Sequence, residues 1–149
     1  MPISEICNRD VVIVRPNDTA LEAGKLMRQH HVGDVVVVEE RGGVRVPVGV
    51  VTDRDLVVEI MAPELDPGVI TAGDIMSPEL VTVKENTGVF EAIQYMRATG
   101  VRRLPVVNDS GGLVGILSLD DLLELLSEEL LALANLVKHG QKKETVARR

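Results

Sequence analysis

With 149 residues, of which 45% are hydrophobic and 26% charged, the chain has the proportions of a folded protein and can bury one sizeable core or two small fused ones. Sixteen Lys and Arg against 23 Asp and Glu give a net charge of −7, which repels phosphate backbones and argues against nucleic acid as a partner. The single cysteine, Cys7, excludes a disulfide framework, and two aromatic residues, Phe90 and Tyr95, are too few to stack bases or sugars.

The start, MPISEICNRD, has no basic stretch followed by an apolar one, so no secretory signal is expected, and a reducing, cytoplasmic setting is the natural reading. The longest apolar stretch, from Leu119 to Val137, is broken by Asp120, Asp121, Glu124, Glu128 and Glu129, so no membrane span or membrane partner is expected.

An internal repeat organises the rest. Residues 14–38 match residues 83–107 at an offset of 69, with nine of 25 positions identical, among them Asn17/Asn86, Glu22/Glu91, Met27/Met96 and Arg28/Arg97. After a three-residue insertion in the first copy, PVGVVTDRDL (47–56) aligns with LVGILSLDDL (113–122).

Each unit reads in the same order. A short β run (Val11 to Val14; Leu80 to Val83) leads to a helix, with Thr19 as N-cap ahead of Glu22 in the first copy. In these helices Ala20, Ala23, Leu26 and Met27, and then Val89, Ala92, Ile93 and Met96, recur at helical spacing and face the core. The near-continuous apolar runs Val35 to Val38 and Leu104 to Val107 suit strands buried on both faces. A Gly-Gly turn follows (Gly42-Gly43; Gly111-Gly112), then a strand, Val48 to Val51 or Leu113 to Leu117, that runs directly into a helix. The order is βαββα twice, in a mixed α/β (α+β) fold. Between the copies, Pro63, Pro67, Gly68, Gly73 and Pro78 mark a connector. The last helix runs on with leucines at 122, 123, 125, 126, 130, 131, 133 and 136, more than one contact surface can cover, ahead of a frayed basic tail.

Two features carry chemistry. Gly49-Val-Val-Thr52-Asp-Arg-Asp55 and Gly115-Ile-Leu-Ser118-Leu-Asp-Asp121 share the pattern Gly, two apolar residues, Ser/Thr, two variable residues, Asp. In one reading this is a capping box with Asp in place of Glu; in the other, the carboxylate accepts hydrogen bonds from a ribose diol while the hydroxyl and free helix N–H groups meet phosphate or sugar oxygens. The second feature is Arg102-Arg103 at the mouth of a buried strand, either a local anion site or a solvated pair bridging to acids. The equivalent first-copy residues are Gly33 and Asp34, so any anion site is expected to be asymmetric. His30-His31 reads as a helix C-terminal cation pair, Cys7 as a pocket-lining thiol, and paired acid/base or metal groups are missing.

Two βαββα units ending in this signature, with DIMSPELVTV before the second and VRRLPVV inside it, resemble a tandem pair of CBS (cystathionine β-synthase) domains, a Bateman module, over residues 3–130. The likeness is to the small stand-alone bacterial and archaeal members. It implies a regulatory, energy-sensing module without catalysis or cofactor, whose units pack about a pseudo-two-fold axis around two clefts for an adenine nucleotide (AMP, ADP, ATP) or S-adenosylmethionine. It also implies a homodimer formed through helical faces and an unidentified regulated protein. One cleft would use Thr52 and Asp55, with Arg54, and Met76, Pro78, Leu80, Val81 and Val101 around the base. The other would use Ser118 and Asp121 with Cys7, Val11, Val12 and Val32, while Arg102 and Arg103 would face phosphates. Asp34, and Val36 in place of the second copy's Pro105, predict one strong site rather than two. The division expected is 1–66 for the first domain with its lead-in, 67–131 for connector and second domain, and 132–149 for a helical extension and tail. The rival reading is an interaction or dimerisation module with vestigial clefts.

Overall fold

Thr19 starts the first helix as its sequence predicts: its hydroxyl accepts from the Glu22 N–H while the Glu22 carboxylate accepts from the Thr19 N–H, a reciprocal capping box. The computed structural model describes residues 1–77 and 79–147. The chain forms two bodies, Met1–Leu117 and the segment from Ser118 onward.

The first body holds two three-stranded sheets. In order, β1 (Ile13–Val14), α1 (Ala20–His30), β2 (Asp34–Arg41) and β3 (Val44–Thr52) build one sheet, β1-β2-β3. After the connector, with its short helix α3 (Ala72–Ile75), β4 (Val83–Lys84), α4 (Val89–Thr99), β5 (Arg103–Val107) and β6 (Leu113–Ser118) repeat the pattern as β4-β5-β6. The parallel pairs Val14↔Val37 and Val83↔Val106 are the same register one repeat apart. Val35 to Val38, Leu104 and Val106 are fully buried, as expected of strands covered on both faces.

Gly42 and Gly43 both adopt positive φ (59° and 78°) between the paired residues Arg41 and Val44, the two-residue hairpin loop that matches strand twist. The inserted residues of the first copy lengthen this hairpin, and a bulge between Val37 and Val38 absorbs the odd residue. The second hairpin is wider and is organised by the Asn108 side chain, which accepts from the Ser110 and Gly112 N–H groups.

Two expectations are corrected. The first strand of each unit is a two-residue ladder, Ile13–Val14 and Val83–Lys84, rather than the four-residue runs Val11 to Val14 and Leu80 to Val83, because residue pairing with β2 and β5 covers only those positions, with the Val12 carbonyl adding one bond from Val36 N–H. The helix after β3 is α-helical only over Asp53–Asp55 (α2) and then widens to a π-helix over Leu56–Met61, with the Ala62 N–H bonded five residues back to Val57.

The repeats interlock through their lead-ins. Near the N-terminus the Ile3 and Ser4 N–H groups donate to Thr87 and Glu85 C=O of the second repeat, and Val89 N–H donates to Met1 C=O. One offset later the same bonds recur in the other direction: Ala72 and Gly73 N–H donate to Asp18 and Pro16 C=O of the first repeat, and Ala20 N–H to Ile70 C=O. Each lead-in therefore makes its backbone bonds with the repeat it does not precede in sequence. The signature glycines exist for this crossing. A Cβ on Gly49 would lie 2.5 Å from Met76 Sδ and 2.8 Å from its Cβ, and one on Gly115 would lie 2.7 Å from Cys7 Sγ and 2.9 Å from the Asn8 carbonyl oxygen. Met76 and Cys7 are themselves repeat equivalents.

The second body is a single helix, α5 (Leu119–Ala147), started by Ser118. Leu122 is buried, whereas Leu123, Leu126, Leu130, Leu131, Leu133 and Leu136 are exposed.

Because the Met76 Cβ cannot swing aside as a chain end can, Gly49→Ala is expected to displace the lead-in and destabilise the protein by about 1–3 kcal/mol in urea unfolding. Met76→Gly in the same chain recovers part of the loss if this contact is the cause.

Candidate functional site

The end of β3 and the start of β2 lie side by side, with Thr52 paired in register to Asp34 and the Asp53 N–H bonded to the Gly33 carbonyl. Thr52 caps α2: its hydroxyl accepts from the Asp55 N–H at 3.1 Å, and Asp55 Oδ2 accepts from the Thr52 N–H at 2.9 Å. Ser118 and Asp121 make the same reciprocal box at the start of α5, at 3.1 and 3.2 Å. The capping reading therefore holds for both copies. A third box, Thr71–Asp74, opens α3 with the same geometry, and the Thr71 backbone and hydroxyl bonds hold the exposed Asp74 carboxyl below its usual range. The two signature boxes differ from the third in burial: Asp55 and Asp121 are half-buried, the Oδ1 of each accepts no hydrogen bond from the described residues, and a lead-in residue is seated on the glycine three residues before each hydroxyl, Met76 on Gly49 and Cys7 on Gly115.

Arg103 contributes the charge. Its Nε lies 3.3 Å from Asp34 Oδ1, and Asp34 is the more buried of the two. Asp34 and Arg103 are equivalent positions of the two repeats, so their contact places them beside the local two-fold relation between the repeats. A residue meets its own equivalent only there. Burial raises the Asp34 carboxyl above its usual pKa, the Arg103 guanidinium counteracts this, and the nearby Asp53 carboxylate adds to the rise.

The other expected residues are placed as follows. Arg54 is exposed and gives its N–H to the Asp53 side chain; Arg102 is exposed, with no ion pair among the described residues. Leu80, Val81 and Val101 are half-buried, and Pro78 lies outside the described residues. Val12 packs on the first-repeat core of Val14, Val35, Val37 and Val51, the same cluster that receives Met76. Val32 ties its N–H to Met27 C=O where α1 ends, Val11 is half-buried, and the half-buried Cys7 donates to the Ser4 carbonyl. His31 closes α1 in the left-handed conformation, where the second repeat has Gly100. No group of three or more His, Cys, Asp or Glu among the described residues is placed to hold a metal ion.

Sequence reasoning missed a groove of about 630 Å³ on the outer helical face of the first repeat. It runs between α1 and the π-helical segment, floored by Leu21, Leu56, Ile60 and Leu65 and rimmed by Lys25, Arg28 and Glu64. Its only signal in sequence is an apolar run, Leu56 to Met61, that the amphipathic pattern of one buried face does not use up.

Two interlocked βαββα repeats, each ending in a capped Ser/Thr-x-x-Asp turn, define a tandem regulatory module. The CBS domain family model matches residues 3–62 and 72–128, and the chain belongs to that family. It is 40% identical over 123 residues to an uncharacterized protein of Methanopyrus kandleri, covering 83% of this chain and 61% of that one, and so spans under two thirds of that relative. It is 39% identical over 120 residues to the CBS domain-containing protein YhcV of Bacillus subtilis, covering 80% and 81% of the two chains. Among solved structures, a CBS domain pair in complex with 5′-methylthioadenosine and S-adenosyl-L-methionine matches with a TM-score of 0.74 at 23% identity, over 87% of this chain and 98% of that one. CBS pairs of this kind regulate rather than catalyse. No helix among the described residues is long and apolar enough to cross a membrane.

The Asp34 shift sets a pH dependence. Its folded-state pKa lies above its unfolded value, so the folded chain binds this proton more tightly, and stability from this group is lost as pH rises from the ordinary carboxylate range through the raised pKa. Asp34→Asn removes that loss. The stability of the Asn variant relative to the parent should increase between pH 3.5 and pH 7 in urea unfolding, where a constant difference would mean that Asp34 is not desolvated.

Proposed function

We propose that the protein is a regulatory sensor of adenosine-containing small molecules, bound where Thr52, Asp55 and Met76 converge. The observation that carries this is a half-buried carboxylate with one oxygen uncommitted, held in a capped turn three residues beyond the glycine on which the connector seats Met76. Asp55 accepts from the ribose hydroxyls through its uncommitted oxygen, the Thr52 hydroxyl donates to a sugar or phosphate oxygen while it caps the turn, and Met76 with Leu80, Val81 and Val101 covers the adenine in place of an aromatic platform. The fold relative crystallised with 5′-methylthioadenosine and S-adenosyl-L-methionine supports the ligand class.

Charge narrows it. Three carboxylates gather at the Thr52 turn, Asp34 paired to Thr52 in register, Asp53 beside Asp34, and Asp55 in the capping box, and the Arg103 guanidinium engages Asp34, so the site favours ligands of low negative or of positive charge, S-adenosylmethionine and methylthioadenosine before ATP. Arg102 and Arg54, both exposed, are free to reach a single phosphate. The module reports ligand state to a regulated protein and acts as a homodimer. The exposed leucines and the groove on α1 favour a second reading, an interaction module whose clefts stay empty.

Calorimetry and thermal shift against adenosine, methylthioadenosine, S-adenosylmethionine, AMP and ATP separate these readings. S-adenosylmethionine should bind more tightly than ATP, and Asp55→Ala should weaken it by about 1.5–3 kcal/mol, the worth of a hydrogen bond to a charged group. ATP as the tightest ligand would overturn the charge argument, and a flat panel would establish the interaction module instead.

A further inference from the structure

The guanidinium of Arg103 is engaged by a carboxylate of the chain itself. Its Nε lies 3.3 Å from Asp34 Oδ1, while its terminal nitrogens make no ion pair among the described residues. Arginine presents its donors in a planar fork that suits two oxygens of a phosphate, so one contact at the Nε edge leaves most of that fork unused. What the contact takes away is the charge. Asp34 stands in register opposite Thr52, and the Asp53 N–H is bonded to the Gly33 carbonyl, so the pair lies at the same strand end as the capped turn. An anionic group on a ligand at that turn meets Asp34 and Arg103 together.

Asp34 keeps its charge against opposition. Its side chain is 18% exposed, against 39% for Arg103, and burial raises its pKa above the ordinary carboxylate value despite the guanidinium beside it, with Asp53 adding to the rise. The other charged groups on the surrounding elements are placed differently: Asp55 accepts from the Thr52 N–H, and Arg54, Arg102 and His31, the residue that closes α1, are exposed. A proton on Asp34 therefore leaves the charge of Arg103 uncompensated.

We propose that Asp34 decides the charge class of the ligand, as an internal stand-in for phosphate that occupies Arg103 while it is charged and gives it up when it is neutral. The charged form selects neutral and cationic adenosine compounds; the neutral form admits adenosine phosphates. Asp34 acts through Arg103 and is a positioning residue. The proposal rests on the sensor reading above and adds to it a regulation by pH, in the direction that acidification favours the phosphates.

Calorimetry with two probes, adenosine and AMP, tests this apart from the sensor reading. The measured quantity is the ratio of AMP affinity to adenosine affinity, in the parent and in Asp34→Asn, at about pH 7.5 and about pH 4.5. At the higher pH the ratio should be about fivefold or more greater in the variant, the low end of ordinary coupling between sites. At the lower pH the parent should approach the variant, because its own Asp34 is then taking up the proton. Protonation of the AMP phosphate and of every group other than Asp34 is common to both chains and cancels in the comparison. Equal ratios at the higher pH overturn the proposal, and so does a difference that fails to narrow on acidification. Adenosine that binds neither chain removes the sensor reading and the proposal with it, whereas adenosine bound alike by both, with no gain for AMP, removes the proposal alone. Asp34→Ser, smaller and equally neutral, should reproduce the gain and guards against a folding defect peculiar to Asn. In an Arg103→Gln chain, Asp34→Asn should lose most of its effect; a gain kept in full would mean that Asp34 repels phosphate without holding Arg103, and contradicts the proposal.

Discussion

The exchange of lead-in segments is the constraint on which the first body depends. Three backbone hydrogen bonds run from the N-terminal segment to the β4–α4 turn, and their three equivalents run from the connector to the β1–α1 turn. Neither repeat completes its own edge, and each lead-in then crosses the last strand of the sheet it has joined, over a glycine that leaves no room for a side chain. The Gly at the head of each signature thus admits the neighbouring lead-in, while the Ser/Thr-x-x-Asp at its foot caps the helix that follows.

The same reciprocity explains why the halves differ where they meet. Positions beside a two-fold relation touch their own equivalents, and identical charges there would repel. Asp34 and Arg103 answer this with opposite charges, converting a symmetric position into an ion pair. The answer also makes the site beside Thr52 acidic and commits the arginine, so the asymmetry legible as Arg103 against Asp34 has a structural cause before it has a ligand one.

Much of this was legible in the residues. The 69-residue offset, the doubly buried valine runs, the Gly42-Gly43 turn and the Thr19–Glu22 box all follow from local patterns, and local patterns are what a sequence displays. The exchange of lead-ins was not legible. MPISEIC and ITAGDIM share little identity, and what relates them is which backbone groups they satisfy, a property of topology. Arg103 and Asp34 were compared as equivalents and not seen as partners, because contact between equivalents depends on the relation between repeats. The widening of the helix after Asp55 and the groove it borders left no periodic signal, since a π-turn shifts the apolar stripe within a run that is apolar throughout. As for the site, the hydroxyl–carboxylate spacing of Thr52 and Asp55 was legible as a capping box, whereas the packing of Met76 and Val12 on one first-repeat core was not, since it depends on which sheet each lead-in joins.

The account centres on a ligand held between the capped turn of β3 and the connector that crosses it. Amide hydrogen exchange with and without S-adenosylmethionine tests this most directly, because it locates binding without altering a residue. Added protection should concentrate at residues 50–55 and 76–81. Protection confined to the start of α5, or absent under saturating ligand, would contradict it.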